Sequence, residues 1–114
     1  MGLNAPSYVS PAGSYTSTHS IPSTGGTVTI NADGYNELHY LEPIAPVAAQ
    51  TFSFPDNANS QIGQKVRFFS TQIIGAITII GNGLTFLGAP LTTMIANGNA
   101  AFMKIAESTW ARIQ

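Results

Sequence analysis

The chain has 114 residues and a mass of 12.0 kDa, a length that fits one domain with a single modest core. Only 8% of its residues are charged, against roughly 25% in ordinary soluble proteins, and the net charge is −1. With 4 basic residues, the chain lacks the means to bind nucleic acid by counterion release. Without cysteine it forms no disulfide, thiolate nucleophile or cysteine-based zinc site.

The first 26 residues are rich in proline, glycine, serine and threonine and show no apolar periodicity. A segment of this kind buries too little apolar surface to fold alone. We therefore predict an extended N-terminal arm over residues 1–26. Two interpretations stay open, a disordered leader and an arm that becomes ordered on a neighbouring subunit or shell. Its apolar anchor candidates are Leu3, Tyr8, Val9, Tyr15 and Ile21.

From residue 27 onward, short segments that alternate apolar and polar residues predict β-strands. These segments are 27–30, 37–42, 51–54, 65–68, 76–80, 85–87, 92–95, 101–105 and 110–113. Turn residues separate them at intervals of about ten residues, which is typical of a β-sandwich or barrel. We predict an all-β domain over residues 27–114, a small antiparallel β-sandwich or barrel behind the extended N-terminal arm. Periodicity alone leaves a helix over 99–113 open.

A charge-free stretch between Arg67 and Lys104 raises the question of a membrane span. A helix that crosses a bilayer needs roughly 20 mostly apolar residues. Glycines, Gln72, Asn82 and Pro90 interrupt this stretch, and no basic cluster flanks it. We predict that the protein does not insert into a membrane.

Side chains that catalysis needs are few and scattered. The histidines are His19, in the predicted arm, and His39, and no Gly-x-Ser-x-Gly elbow or phosphate-binding glycine pattern occurs. Glu37 and His39 lie two apart on one predicted strand and so face the same side, but a metal site usually needs more ligands. The few carboxylates fall mainly at strand ends and turns, where they are expected to be solvated. We predict no enzymatic activity, no cofactor and no metal site.

The second half of the chain carries an ordered series of turn and core motifs. These are Phe54-Pro55, Ile62-Gly63-Gln64-Lys65-Val66, Ile77-Thr78-Ile79-Ile80-Gly81-Asn82-Gly83, Phe86-Leu87-Gly88, Ile95-Ala96-Asn97-Gly98-Asn99-Ala100-Ala101-Phe102 and Trp110-Ala111-Arg112-Ile113. This order resembles a β module of tailed-bacteriophage virion proteins, among them tail fibres, spikes and head decoration proteins. The resemblance covers about residues 52–113. It implies a β fold, frequent trimerisation, no catalysis, and a strand pair over 99–113.

The resemblance leads to an expected function. Fibres and spikes usually carry this module as one part of a long chain, whereas a short chain with a leading arm suits a capsid surface. We expect a capsid decoration (cement) protein of the virion, a homotrimer that binds the major capsid protein and stabilises the outer shell by bridging its subunits. The alternative is a tail-fibre, spike or head-fibre component that attaches to a receptor or glycan through exposed aromatic residues such as Tyr35 or Tyr40.

Association is also the expected consequence of the low charge. Strand edges and neutral faces that few charges protect are covered when subunits pair around a closed axis. We predict contacts by the arm and by the loop at 43–47. The candidate interface residues are Tyr8, Val9, Tyr15, Ile21, Pro43, Pro46 and Val47. Phe68, Phe69 and Phe86 are predicted to lie in the core, and Trp110 is predicted to pack in the core or in an interface.

Overall fold

The computed structural model describes residues 15–31 and 35–114. The described residues form nine strands and one 3-10 turn at Asn57–Asn59. The strands are β1 (Thr16–Ser20), β2 (Thr27–Thr29), β3 (Glu37–Leu41), β4 (Gln50–Ser53), β5 (Lys65–Ser70), β6 (Ile77–Ile80), β7 (Thr85–Leu87), β8 (Gly98–Ala106) and β9 (Thr109–Arg112). The predicted all-β class is confirmed.

The first six strands form three stacked turns of a parallel β-solenoid. Strands β1, β3 and β5 pair in parallel on one side, and β2, β4 and β6 pair in parallel on the other. Each turn therefore contributes one strand to each sheet. The structure therefore differs from the antiparallel sandwich or barrel that the sequence predicted. Alternation of apolar and polar residues has the same period in parallel and antiparallel strands, so the sequence pattern did not distinguish them.

The last strands extend the larger sheet and close one end of the solenoid. Strand β8 runs antiparallel to β5, β9 antiparallel to β8, and β7 parallel to β9, which gives a six-stranded sheet in the order β1-β3-β5-β8-β9-β7. The smaller sheet has the order β2-β4-β6. Residues 99–113 are thus mostly a strand pair and not a helix. The predicted strand at 92–95 is reduced to one isolated bridge at Met94.

Strand β1 lies inside the predicted arm. It pairs along its whole length with β3, from Thr16 opposite Glu37 to Ser20 opposite Leu41. Among the described residues the β structure therefore begins at residue 16, and the predicted boundary at residue 26 is corrected. Alternation did not reveal β1 because its sequence, TSTHS, contains no apolar residue. Residues 1–14, with the anchor candidates Tyr8 and Val9, lie outside the described residues.

Inward side chains of successive turns stack in columns. One column holds Thr18, His39, Phe68 and Ala100, and the facing column holds Val28, Phe52 and Ile79. The rings of Phe52 and Phe68 stack across the core with centroids 4.3 Å apart. Trp110 is fully buried, and its ring packs edge-on against Phe54 at 5.2 Å. These contacts join the two sheets.

Predicted core positions are confirmed for Phe68 and Trp110 and hold in part for Phe86, which packs against the core from its rim. Phe69 is different, because it follows inward-facing Phe68 and so points outward. Its ring stacks on Tyr40, with centroids 5.8 Å apart, on the outer face of the large sheet. Local composition does not reveal which of two adjacent phenylalanines faces inward.

Candidate assembly surface

One corner of the solenoid, where the chain leaves the large sheet, carries an exposed isoleucine at each level. Ile21 follows β1, Ile44 follows β3, Ile73 follows β5, and Ile95 precedes β8. Their exposed fractions are 61%, 89%, 51% and 74%. We call these four residues the isoleucine ridge. Large apolar side chains exposed at successive levels mark an interaction surface more strongly than isolated ones do.

Backbone pairing holds two of the ridge residues, Ile73 and Ile95, in place. Ile74 pairs antiparallel with Met94, and this register sets Ile73 opposite Ile95. The N–H of Val47 donates to the carbonyl oxygen of Ile73 at 2.8 Å. Because Ile74 and Met94 are buried, their neighbours Ile73 and Ile95 point outward.

The other two ridge residues, Ile21 and Ile44, line a shallow hollow of about 220 Å³. Pro46 lines the same hollow. The hydroxyl oxygen of Thr24 accepts a hydrogen bond from the N–H of Ala48 at 2.7 Å and so fastens the first corner loop to the second. The two isoleucines are thereby held on one continuous surface.

The ridge carries no charge of its own. Residues 1–32, 43–55 and 68–103 contain no Asp, Glu, Lys or Arg, and each ridge isoleucine falls in one of these stretches. A surface of this kind offers a partner few ion pairs, so recognition rests on burial of apolar area and on shape.

The predicted contact residues divide between this surface and the interior. Ile21 belongs to the ridge, and Pro46 is exposed beside it, so both are accessible to a partner. Pro43 and Val47 are buried within the chain, so their predicted contact role is corrected to one of holding the corner loop. Tyr15 is half-buried, and its hydroxyl oxygen accepts a hydrogen bond from Nε of Arg67 at 3.0 Å.

Sequence reasoning placed Ile44 within the predicted contact loop at 43–47 without naming it as a contact residue, and it missed Ile73 and Ile95 as surface residues. Each is an ordinary apolar residue within or beside a segment read as strand or loop. The available signal was the pair Ile73-Ile74, since in an extended segment adjacent side chains point to opposite sides. Only the bridge register decides which of the two is outside.

Two polar side chains that sequence analysis placed on one side of a strand form a buried pair. His39 Nε2 lies 2.7 Å from Oε1 of Glu37, and the N–H of Asn31 donates to Oε2 of Glu37 at 3.1 Å. Glu37 is fully buried and His39 is 2% exposed. The expectation of a solvated carboxylate was therefore wrong for Glu37. A pair closed off from solvent acts on packing and not on a dissolved substrate.

Lys104 is also a buried charged side chain, with an exposed fraction of 2%. Its Nζ donates to the Oδ1 of Asn57 at 2.6 Å and to the Oγ of Ser60 at 2.7 Å. The carbonyl oxygens of the same two residues lie at 3.3 and 3.4 Å. Neutral oxygens thus surround the ammonium group and fasten the loop at 57–60 onto β8.

Replacement of Lys104 measures how much its hydrogen bonds to the loop at 57–60 stabilise the fold. We expect Lys104→Met to lower the free energy of unfolding by about 2–3 kcal/mol, because hydrogen bonds to a charged group are lost and buried oxygens lose their donor. Urea denaturation of the two proteins measures the difference. Lys65→Met, on the outer face of β5, is the control and should change stability by less than about 0.5 kcal/mol. Equal losses of unfolding free energy in the two variants would contradict a stabilising role of the Lys104 hydrogen bonds.

A further hollow of about 380 Å³ lies between β6, β7 and the loop that follows β7. It is lined chiefly by Ile77, Ile79, Leu84, Phe86, Leu91 and Phe102. A reaction site needs several polar groups that converge on the substrate. The described residues that line this hollow are apolar except for Thr92, and none of them is charged.

Among residues 15–31 and 35–114, no three His, Cys, Asp or Glu side chains gather as a metal site requires. In the same part of the chain no helix is long and apolar enough to cross a bilayer. Comparisons with protein-family models, curated proteins and solved structures find no match to this chain. The resemblance to the phage module thus stays a sequence-based prediction.

Proposed function

We propose that the chain is a non-enzymatic decoration (cement) protein of a tailed-bacteriophage capsid. It binds the outer shell and stabilises it by bridging subunits of the major capsid protein. The observation that carries this proposal is the isoleucine ridge, an exposed, charge-free apolar surface on a rigid solenoid corner.

The ridge supplies binding energy of the size that such a role needs. Full burial of one exposed isoleucine side chain contributes on the order of 1.5–3 kcal/mol. Bridges and hydrogen bonds already fix the corner loops, so little conformational entropy is lost on binding. Because the ridge has no charges, its binding should change little with ionic strength, unlike binding by ion pairs.

The homotrimer implied by the resemblance is part of the same proposal. A closed three-fold assembly carries three copies of the ridge. If several ridges contact the shell at once, each contact after the first is intramolecular, and overall affinity rises without stronger single contacts. This avidity suits a protein that bridges neighbouring subunits.

A charge placed on the ridge tests the proposal. We expect Ile44→Asp to weaken binding to decoration-free shells of the phage at least 10-fold, because an apolar contact would bury an unpaired carboxylate. Shells that carry the wild-type protein should resist heat better than shells without it. Co-sedimentation measures binding, and DNA release on heating measures resistance.

The matched control is Ile62→Asp. Ile62 is 63% exposed, and the loop that carries it lies between β4 and β5, away from the ridge. This variant should bind like the wild type. Equal heat resistance with and without the protein, or full binding by Ile44→Asp, would refute the decoration function. Glycan binding that depends on Tyr35 or Tyr40 would instead favour the receptor-attachment alternative.

A further inference from the structure

The first turn of the solenoid leaves both of its strands at sheet edges. Strand β1 is the outer strand of the large sheet and β2 that of the small sheet, and no strand among the described residues pairs beyond them. Solenoids usually need a cap on a terminal repeat. The opposite end has one, because β8 runs antiparallel along β5 and the oxygen of Thr92 accepts from the N–H of Ile77 at 2.8 Å.

The main-chain groups that point out of the open end can be identified in β1. The N–H of Thr16 donates to the oxygen of Asn36, and the oxygen of Ser20 accepts from the next turn, each at 2.9 Å. Alternate residues of a parallel strand bond to the same neighbour, so positions 16, 18 and 20 face β3. The N–H and C=O groups of Ser17 and His19 therefore point away from the sheet.

The same rule applies to β2. The oxygen of Gly26 accepts from the N–H of Thr51 at 3.0 Å, and the N–H of Ile30 donates to the end of β4 at 2.9 Å. Positions 26, 28 and 30 thus face β4. The main-chain groups of Thr27 and Thr29 point out of the open end.

Neither edge carries the features that block pairing. Natural edge strands are protected by lysine, proline, bulges or inward charges. Strands β1 and β2 read TSTHS and TVT, with regular register to their neighbours. Both edges are regular and contain no lysine, proline or carboxylate, so each can accept another strand.

The middles of the two edges lie opposite each other across the core. Thr18 stands in the column of Phe68, and Val28 stands in the column of Phe52. The rings of Phe52 and Phe68 are in contact, with centroids 4.3 Å apart. One two-fold axis across the open end therefore passes close to both Thr18 and Val28.

We propose that a second copy of this chain docks end to end on the first turn around this axis. Strand β1 then pairs antiparallel with β1 of the other copy, with Ser17 opposite His19, and β2 pairs with β2, with Thr27 opposite Thr29. Each opposed pair exchanges two hydrogen bonds, so the contact contains roughly eight main-chain hydrogen bonds. Both sheets become continuous through the two paired copies. Combined with the proposed three-fold contact, this two-fold contact gives an assembly of six chains.

The contact is short, because the two edges are strands of five and three residues. Its stability rests on paired main-chain groups along both edges and not on a large buried area. The pairing does not rest on the proposed shell binding, since the isoleucine ridge lies on a corner and the open edges lie at an end.

Proline at one outward position tests the contact in the full-length chain. Ser17→Pro removes an N–H that points away from β3, so we expect it to keep the fold and to halve the native mass measured by light scattering across a concentration series. Ser17→Ala keeps the N–H and should have the wild-type mass. An equal mass for wild type and Ser17→Pro, including a monomer at every concentration, would overturn the proposal.

A cysteine at the axis gives an independent measurement. The chain contains no cysteine, so Thr18→Cys introduces a single thiol. At the two-fold axis Thr18 faces its own copy as a non-hydrogen-bonded pair, with Cα atoms about 4.5 Å apart, a separation that a disulfide spans. Oxidation should yield a covalent dimer, whereas Ser17→Cys, which is not opposite itself, should yield little. If Thr18→Cys stays monomeric on oxidation, the end-to-end pairing is wrong.

Discussion

Phe68→Ala is expected to lower the free energy of unfolding by about 4 kcal/mol, a cost within the range for loss of a buried phenylalanine. The ring of Phe68 stacks on Phe52 at 4.3 Å and on His39 at 5.6 Å, and it meets Phe54 and Phe102 edge-on. Its removal therefore leaves a cavity between the two sheets that rigid neighbours fill poorly. The midpoint temperature of thermal unfolding should fall by roughly 15 °C.

The neighbouring position provides the control for this variant. Phe69 has the same side chain on the same strand but lies on the outer face, where it is half-buried. We expect Phe69→Ala to cost about 1 kcal/mol or less. Similar melting temperatures for the two alanine variants would contradict the inward assignment of Phe68, and with it the register of β5.

The second large effect is expected at the buried pair of Glu37 and His39. Glu37→Leu should cost about 3 kcal/mol, because the ring nitrogen of His39 and the N–H of Asn31 then lose a buried acceptor. His39→Phe should cost a similar amount, since it leaves the carboxylate of Glu37, which is buried from solvent, with one hydrogen-bond partner fewer.

The double variant distinguishes a pair from two separate residues. We expect Glu37→Leu with His39→Phe to be more stable than the sum of the single losses predicts by about 1–3 kcal/mol. Phenylalanine at 39 would also extend the stack on Phe68. Chemical denaturation of the four proteins completes the cycle. Additive losses would show that the contact at 2.7 Å contributes no coupling of its own.

The three stacked turns give this chain two kinds of surface that a partner can reach, a corner and an end. At the corner where the chain leaves the large sheet, every level displays an isoleucine outward. The same stacking creates one end whose strands are unpaired among the described residues. The isoleucine ridge and the open end are therefore separate surfaces. A negative result for shell binding with Ile44→Asp leaves the test of end-to-end pairing with Ser17→Pro unaffected, and the converse also holds.

The sequence by itself determined where β2 through β7 lie and which of their residues face one way. Alternation is a local property that places Phe52 with Phe54 and Val66 with Phe68 on shared faces, and all four are buried. Composition likewise determined that the surface carries few charges, because only 8% of the residues are charged.

Only the tertiary structure decided which strands pair and what lies between them. Parallel stacking joins residues 21 to 29 positions apart, as in Thr16 with Glu37 and Glu37 with Val66, and no local pattern encodes such a register. The polar strand β1 is held by pairing to β3 and not by apolar residues. For the same reason the burial of Glu37 and Lys104 was invisible in the sequence, since a buried charge depends on partners that only the completed fold brings near.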